Sequence, residues 1–279
     1  MDIYFAVTVH SSDEVLMALM TQYEFESFEE YDDHFIAYIK KDDWLGETQV
    51  EVAALFRDYN TQFSIEEIAP QNWNALWEAS FQPVKVGDFC LIRAEFHPSQ
   101  PTVKFDLVIN PKMAFGTGHH ATTHMMIAHM EQLNLQDAEV FDFGCGTGIL
   151  AILASKMGAR HIDAVDIEHE SYINTQENAN INQVVNIQTY EGDINDVPDA
   201  VYDVILANIN RNILQKYVTD LVSKLKENGS ILLSGVLSED AESVIKDYSY
   251  AGLILRSRMD MDGWMSAHFS KSNVVLGQD

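Results

Sequence analysis

Residues 140–150 read Val140-Phe141-Asp142-Phe143-Gly144-Cys145-Gly146-Thr147-Gly148-Ile149-Leu150. A short apolar run with strand character enters three glycines at alternate positions and leaves as a helical pattern. Glycine is needed where a chain turns tightly, and where backbone must meet a ligand with no Cβ in the way. The helix that follows adds N–H groups with no partner of its own. A strand, glycine turn and helix in this order point to a parallel sheet, with a ligand outside the carboxyl ends of its strands. The spacing is G-x-G-x-G, not the G-x-G-x-x-G of dinucleotide sites, and Asp142 stands two residues before the first glycine. That carboxylate is unsuited to a pyrophosphate. It suits a cationic group, an ammonium or a sulfonium.

The pattern around the turn agrees. From about residue 120 onward, strand and helix patterns alternate, which predicts a doubly wound, mostly parallel sheet with helices on both faces. Helical periodicity marks 122–133, 149–157, 172–182, 213–225 and 239–248; strands are expected at 140–143, 161–165, 185–190, 204–207 and 230–234. A closing pair is expected at 253–259 and 265–270. Upstream, 3–9, 25–31, 35–39 and 63–68 read as strands, and 13–23 and 47–59 as helices, the first with Ser11 and Ser12 as cap candidates. That β-α-β-β-α-β order matches a split βαβ sandwich. Between the two regions, Trp73, Trp77 and Phe81 lie four apart on one face of a connecting helix that Pro83 ends. Three segments are therefore expected: a small α+β domain at 1–68, a helical linker at 69–85, and an α/β domain at 86–279.

Charge narrows the partners. The chain holds 43 acidic against 17 basic residues, a net charge of −26. Nucleic-acid binding needs a basic footprint, and so does an anionic membrane surface, so neither partner is expected. A basic partner is favoured by the opposite field. The acid is concentrated in residues 1–60, with 14 acidic against 3 basic residues, and most densely between Glu24 and Asp33. No apolar run approaches the roughly 18 residues of a membrane span. The start has no basic n-region, so no signal peptide is expected. Cys90 and Cys145 form no disulfide or metal-ligand spacing, which fits a reducing cytoplasm. His119, His120 and His124 form H-H-x-x-x-H but lack further ligands within motif distance, so no metal site is expected. Cys145 has no His–acid partner pattern and reads as a packing residue rather than a nucleophile.

Asp166 ends the strand pattern at 161–165, 22 residues after Gly144. An acid at that position can accept both hydroxyls of a ribose. The glycine loop, the ribose acid and the upstream acid together describe a site for S-adenosylmethionine, with adenosine at one end and a charged amino acid at the other. The constellation resembles the class I methyltransferases. Two further segments narrow the resemblance. One is Met113-Ala114-Phe115-Gly116-Thr117-Gly118-His119-His120-Ala121-Thr122-Thr123; the other is Ala207-Asn208-Ile209-Asn210-Arg211-Asn212-Ile213-Leu214. With the glycine loop and the segment from Asn72 to Asp88, they are similar to the ribosomal protein methyltransferase family that modifies the large-subunit protein L-eleven. The resemblance covers residues 70–279 by motif and residues 1–60 by architecture and acidity.

What the resemblance implies is specific. The fold would be an α/β class I methyltransferase, Rossmann-like, with a small N-terminal α+β (ferredoxin-like) domain. Thr123 matches a threonine that caps S-adenosylmethionine. Gly144 matches the glycine under the methionine portion, and Gly146 belongs to the same cofactor-binding loop. Asp166 matches the ribose acid, and Asn208 the asparagine near the methyl group. The activity would be N-methylation of amino groups, lysine side chains or the N-terminal amine, on a basic ribosomal protein. The enzyme would act in the cytoplasm as a monomer, without direct nucleic-acid contact. No dedicated base is expected, and no catalytic residue is assigned. Two departures stand out: His119 and Ala121 where the family loop often has threonine and proline, and Ile209-Asn210-Arg211 where Ile-Leu-Ala is common. The alternatives are a methyltransferase for a different protein amine and a non-catalytic S-adenosylmethionine-binding protein. Release-factor and base-amine relatives carry an Asn/Asp-Pro-Pro-aromatic turn that is missing here. The glycine spacing disfavours a dinucleotide oxidoreductase.

Overall fold

A computed structural model of the chain describes residues 3–44, 46–68, 82–100, 102–110 and 118–272. The expected linker helix with Trp73, Trp77 and Phe81 lies outside the described residues, as does the stretch 113–117 of the upstream loop. The chain divides into two compact units, Met1–Ser80 and Phe81–Asp279.

The first unit holds β1 (Tyr4–Val9), α1 (Glu14–Met20), β2 (Phe25–Glu30), β3 (Phe35–Lys40), α2 (Glu47–Asp58) and β4 (Phe63–Ile68). The strands form one sheet in the order β2-β3-β1-β4, antiparallel throughout. Val7, Val9, Phe35, Ala37 and Ile39 point to one face of it and bury against Leu16 and Met20 of α1 and Val52 and Phe56 of α2. This is the split βαβ order expected from the sequence. The α1 cap differs from expectation. Asp13 takes the N-cap position and accepts from Val15 N, while Ser11 Oγ accepts from Asp13 N and shapes the turn before it.

The second unit begins with β5 (Val84–Val86), β6 (Cys90–Arg93) and β7 (Phe105–Val108), which make a three-stranded sheet. Then come α3 (Ala121–Met130), β8 (Glu139–Phe143), α4 (Ile149–Lys156), β9 (His161–Asp166), α5 (His169–Ile181), β10 (Ile187–Glu191) and β11 (Tyr202–Asn208). They are followed by α6 (Arg211–Lys216), α7 (Val218–Ser223), β12 (Leu225–Leu237), a 3-10 turn (Ser238–Asp240), α8 (Ala241–Tyr250), β13 (Leu253–Met261) and β14 (Trp264–Lys271). Seven strands form the main sheet in the order β10-β9-β8-β11-β12-β14-β13. β8 to β12 run parallel, and β14 is antiparallel to both neighbours. The chain winds outward from β8 through β9 to β10, then returns to β11 on the other side of β8. That reversal is the topological switch point, and ligands bind outside the strand ends there.

Successive strand residues face opposite sides. Val140, Ile162, Leu206 and Leu232 pack with Met126, Ile127, Ile152 and Leu153 on one side. Phe141, Val165, Ile205 and Leu233 pack with Leu214, Leu221, Val244 and Tyr248 on the other. The single helix expected at 213–225 is two, broken at Tyr217. There the ring packs edge-on against Phe143 at 5.4 Å and the hydroxyl donates to Asp193 Oδ2 at 3.1 Å. A side chain drawn inward by two contacts overrides the local helical preference.

Candidate functional site

The glycine loop follows β8 directly. Gly144, Gly146 and Gly148 have φ of +79°, +55° and +77°, a region that L side chains rarely occupy. Gly144 N and Cys145 N both donate to Val165 O, at 2.9 and 3.1 Å, which ties the loop to the end of β9. Helix α5 holds it from below: Thr175 Oγ1 donates to Gly146 O at 2.9 Å and Asn178 Nδ2 to Thr147 O at 2.9 Å. The loop backbone is thus fixed by groups on its buried side.

Asp166 stands at the tip of β9. Its Oδ2 accepts from Gly146 N at 2.9 Å and its Oδ1 from Glu168 N at 3.0 Å. A carboxylate has about four lone-pair sites, so each oxygen keeps capacity for a ligand hydroxyl. The next residue, Ile167, is 70% exposed. An apolar side chain held open to solvent beside a ribose acid is suited to the flat face of a purine; only the tertiary structure reveals that exposure.

On the other side of the switch point, Asn208 ends β11. Its Nδ2 donates to Thr123 Oγ1 at 3.4 Å, across 85 residues of sequence. Thr123 is buried in the first turn of α3. His120 is the N-cap of that helix: its Nδ1 lies 2.8 Å from Thr122 Oγ1 and its ring meets Trp264 edge-on at 4.8 Å. His119 Nε2 donates to Gln82 O at 2.8 Å. His119 and His120 therefore hold separate parts of the loop, and among the described residues no group of three metal-ligating side chains occurs.

Asp142 differs from the simplest expectation. It is 1% exposed, packed beneath the start of α4, where its Oδ2 accepts from Ala151 N at 3.1 Å. Its Oδ1 is one of two buried side-chain atoms without a partner among the described residues. Burial pushes its carboxyl up to about 7; the nearby charge of Asp166 adds to this and the Ala151 bond opposes it. Burial likewise pushes the Cys145 thiol well above its ordinary value, which leaves no thiolate for nucleophilic work.

Ile209 follows Asn208 and crosses two glycines. A Cβ on Gly144 would lie 2.1 Å from Ile209 Cγ2, and a Cβ on Gly235 of β12 would lie 2.3 Å from Ile209 O. Asn210 then caps α6 by accepting from Ile213 N at 3.2 Å, and Arg211 pairs with Asp240. The two residues of this segment that depart from the family's common Ile-Leu-Ala, Asn210 and Arg211, are thus a cap and half of an ion pair. Both anchor the start of α6.

The glycine loop and Asp166 on one side of the switch point, and Asn208 with Thr123 on the other, form a cradle for an elongated, nucleoside-like ligand with a charged end. The family described as Ribosomal protein L11 methyltransferase (PrmA) matches residues 5–272. The chain belongs to the ribosomal protein L11 methyltransferase family. A relative from Porphyromonas gingivalis, described as ribosomal protein L11 methyltransferase, is 37% identical over 271 residues, covering 95% of this chain and 92% of its own. One of the same description from Chlorobaculum parvum is 36% identical over 274 residues, covering 93% of both chains. The crystal structure of a ribosomal protein L11 methylase from Lactobacillus delbrueckii subsp. bulgaricus superposes with a TM-score of 0.65 at 28% identity. It covers 69% of this chain and 100% of that one.

As a member of the ribosomal protein L11 methyltransferase family, the chain is an S-adenosylmethionine-dependent protein methyltransferase with the class I fold. The donor set fits that cofactor. Asp166 offers acceptors for two hydroxyls, and Asp142 Oδ1, buried beneath the loop without a partner among the described residues, is a further acceptor on the loop side. Among the described residues, no helix is long and apolar enough to cross a membrane.

Proposed function

We propose that this enzyme methylates amino groups of ribosomal protein L11, lysine side chains or the N-terminal amine, and that it does so as a cytoplasmic monomer. We assign Asp166 to the ribose hydroxyls, Gly144 and Gly146 to the methionine portion, and Thr123 and Asn208 to the reacting end. The observation that carries this reading is the hydrogen bond from Asn208 to Thr123 across the switch point, opposite the glycine loop.

When bound, S-adenosylmethionine supplies a methyl carbon on a sulfonium, and the amine nitrogen displaces the thioether in line. The protein's work is to hold the two centres in register, which is where proximity contributes most. The acceptor poses the harder problem. A lysine with pKa about 10.4 is neutral in about one molecule in 2,500 at pH 7, a cost of about 4.6 kcal/mol. Donation from Nδ2 to Thr123 orients the Asn208 amide, so its Oδ1 is the atom that accepts from the incoming amine. Backbone carbonyls beside it accept the remaining hydrogen. The proton released after transfer leaves to solvent, so no dedicated base is required.

The first unit is the proposed reader of the substrate. One face of its sheet is covered by α1 and α2. The other carries Tyr4, Tyr38, Glu26, Glu29 and Glu66, a set of rings and carboxylates suited to a basic protein surface. The test is methylation of purified L11 with labelled S-adenosylmethionine, followed by mass spectrometry of the modified residues. Asn208→Ala at saturating cofactor is expected to lower the single-turnover rate by about 10²-fold, the order lost with one positioned catalytic hydrogen bond. An unchanged rate overturns the assignment of Asn208.

A further inference from the structure

A threonine inside a helix ordinarily faces solvent or turns its hydroxyl back to a carbonyl of the preceding turn. Thr175 does neither. It lies midway along α5, fully buried, and its Oγ1 donates to Gly146 O at 2.9 Å, 29 residues away in sequence. The Cys145 thiol lies 3.3 Å from the same oxygen. Its methyl closes on Gly148, where a Cβ would lie 2.7 Å from Thr175 Cγ2. One side chain therefore meets the glycine loop at three positions. Gly146 is the residue that needs such a hold. It has no Cβ to restrain its torsions, and it takes a φ of +55°. Its N–H donates to Asp166 Oδ2 at 2.9 Å, while its C=O receives the Thr175 hydroxyl. The neighbouring carbonyls are fixed by other groups: Gly148 N donates to Cys145 O at 2.8 Å, and Asn178 Nδ2 to Thr147 O at 2.9 Å. Asp166 in turn has two tethers. Oδ1 accepts from Glu168 N, two residues on, and Oδ2 from Gly146 N, 20 residues back. The direction of Oδ2 is thus set by the glycine loop and not by the strand that carries Asp166.

We infer that Thr175 is a positioning residue for cofactor binding: its hydroxyl fixes the Gly146 peptide and, through Gly146 N, aims the Asp166 carboxylate. The inference rests on the assignment of Asp166 to the ribose hydroxyls. Thr175 acts from the buried side of the loop, through two hydrogen bonds of 2.9 Å with Gly146 between them. A hydrogen bond weakens steeply as its geometry opens, so a carboxylate that serves two hydroxyls must be held in one orientation. Without the Thr175 hydroxyl, Gly146 O loses its donor and the peptide turns freely about the ψ of a glycine. Asp166 Oδ2 then loses a fixed partner. Packing asks only for the shape of Thr175, which valine reproduces. Positioning asks for the hydroxyl, which serine keeps.

The test measures S-adenosylhomocysteine binding by calorimetry in the parent enzyme, Thr175→Val, Thr175→Ser, Asp166→Ala and the variant that combines Asp166→Ala with Thr175→Val. Thr175→Val is expected to weaken binding about tenfold, the order of one hydrogen bond. Thr175→Ser is expected to stay within about twofold of the parent. In the Asp166→Ala background, Thr175→Val is expected to change binding by less than about twofold, because residues that act through one another are not additive. An equal loss from Thr175→Val in both backgrounds makes Thr175 a general support of the loop and overturns the inference. So does a Thr175→Ser that binds as weakly as Thr175→Val, or a Thr175→Val that binds like the parent. Circular dichroism reports the folding of each variant, and Thr175→Ala, which also lacks the hydroxyl, takes the place of Thr175→Val if that variant does not fold. If Asp166→Ala binds as tightly as the parent, the ribose assignment falls and this inference with it. A weakened Asp166→Ala with an additive Thr175→Val overturns this inference alone.

Discussion

Asp142 and Asp166 sit at the ends of neighbouring parallel strands and behave in opposite ways. Asp166 is partly open, and each of its oxygens accepts a backbone N–H. Asp142 is buried with one oxygen unpartnered and its carboxyl pushed up to about 7. An acid whose folded-state pKa lies above its unfolded value of about 3.9 holds more protons in the folded state between those two values. Its contribution to stability therefore declines as pH rises from about 4 to about 7. Asp142→Asn keeps an acceptor for Ala151 N and removes the titration. Urea unfolding of the cofactor-free protein at pH 5 and pH 8 is expected to show a smaller loss of stability at pH 8 for the variant than for the parent. An equal loss would place the titrating group elsewhere. Asp166→Ala removes acceptors of charge-assisted hydrogen bonds worth about 1.5–3 kcal/mol each. Calorimetry is expected to show S-adenosylhomocysteine bound about 10²-fold more weakly, and undiminished affinity would refute the ribose assignment.

At the scale of elements, α5 does more than cover the sheet. Asn174, Asn178 and Asn182 recur every fourth residue and are buried on one face. Asn182 accepts from Val108 N at 3.0 Å and donates to Val108 O at 2.6 Å. Asn178 accepts from Asn110 N at 3.0 Å, and Asn174 Nδ2 reaches Asn110 O at 3.4 Å. The helix thus offers its side chains as a substitute strand edge to part-buried backbone groups at the end of β7 and just past it. Because Asn178 also donates to Thr147 O, the start of the upstream loop and the glycine loop share one support. Asn178→Ala removes the hydrogen bonds to Asn110 N and Thr147 O, and losing a partner at a buried or part-buried polar group costs about 1–3 kcal/mol. Chemical denaturation is expected to show a loss of about 2–4 kcal/mol. A loss below about 0.5 kcal/mol would mean that water replaces the amide.

At the scale of the whole molecule, the two units carry separate cores. The first is built from residues of β1–β4, α1 and α2 with Trp44 between β3 and α2, and the second unit's two clusters begin at Val84. A second unit with its own core is expected to survive loss of residues 1–68. The truncated enzyme is expected to bind S-adenosylhomocysteine as the full chain does and to lose methylation of L11. Retained methylation would show that the acidic unit is not the reader. Attraction between an acidic reader and a basic substrate is screened over a Debye length of about 8 Å at physiological salt. The rate of L11 methylation at low substrate is therefore expected to fall steeply with added salt, while turnover at saturation does not.

The alternation of strand and helix patterns, the glycine loop and Asp166 were legible in the sequence because each is a local requirement: a period, a positive φ, an acid at a fixed distance. The net charge of −26 limited the partners for a similar reason, since a field sums over residues wherever they lie. Motif resemblance carried the family and the five proposed cofactor residues. What no window of sequence contained was long-range placement. Ile167 is apolar, and only its place just past the carboxyl end of β9 leaves it exposed. The spacing of Asn174, Asn178 and Asn182 was visible, but their partners lie 64 to 74 residues away. The break at Tyr217 depends on Phe143 and Asp193. The sequence by itself determined the local conformations and the chemistry on offer, because those depend on neighbours along the chain. Only the tertiary structure decided that Asp142 is buried, that Ile209 is seated between Gly144 and Gly235, and that Asn208 reaches Thr123. Those facts depend on which strands lie side by side.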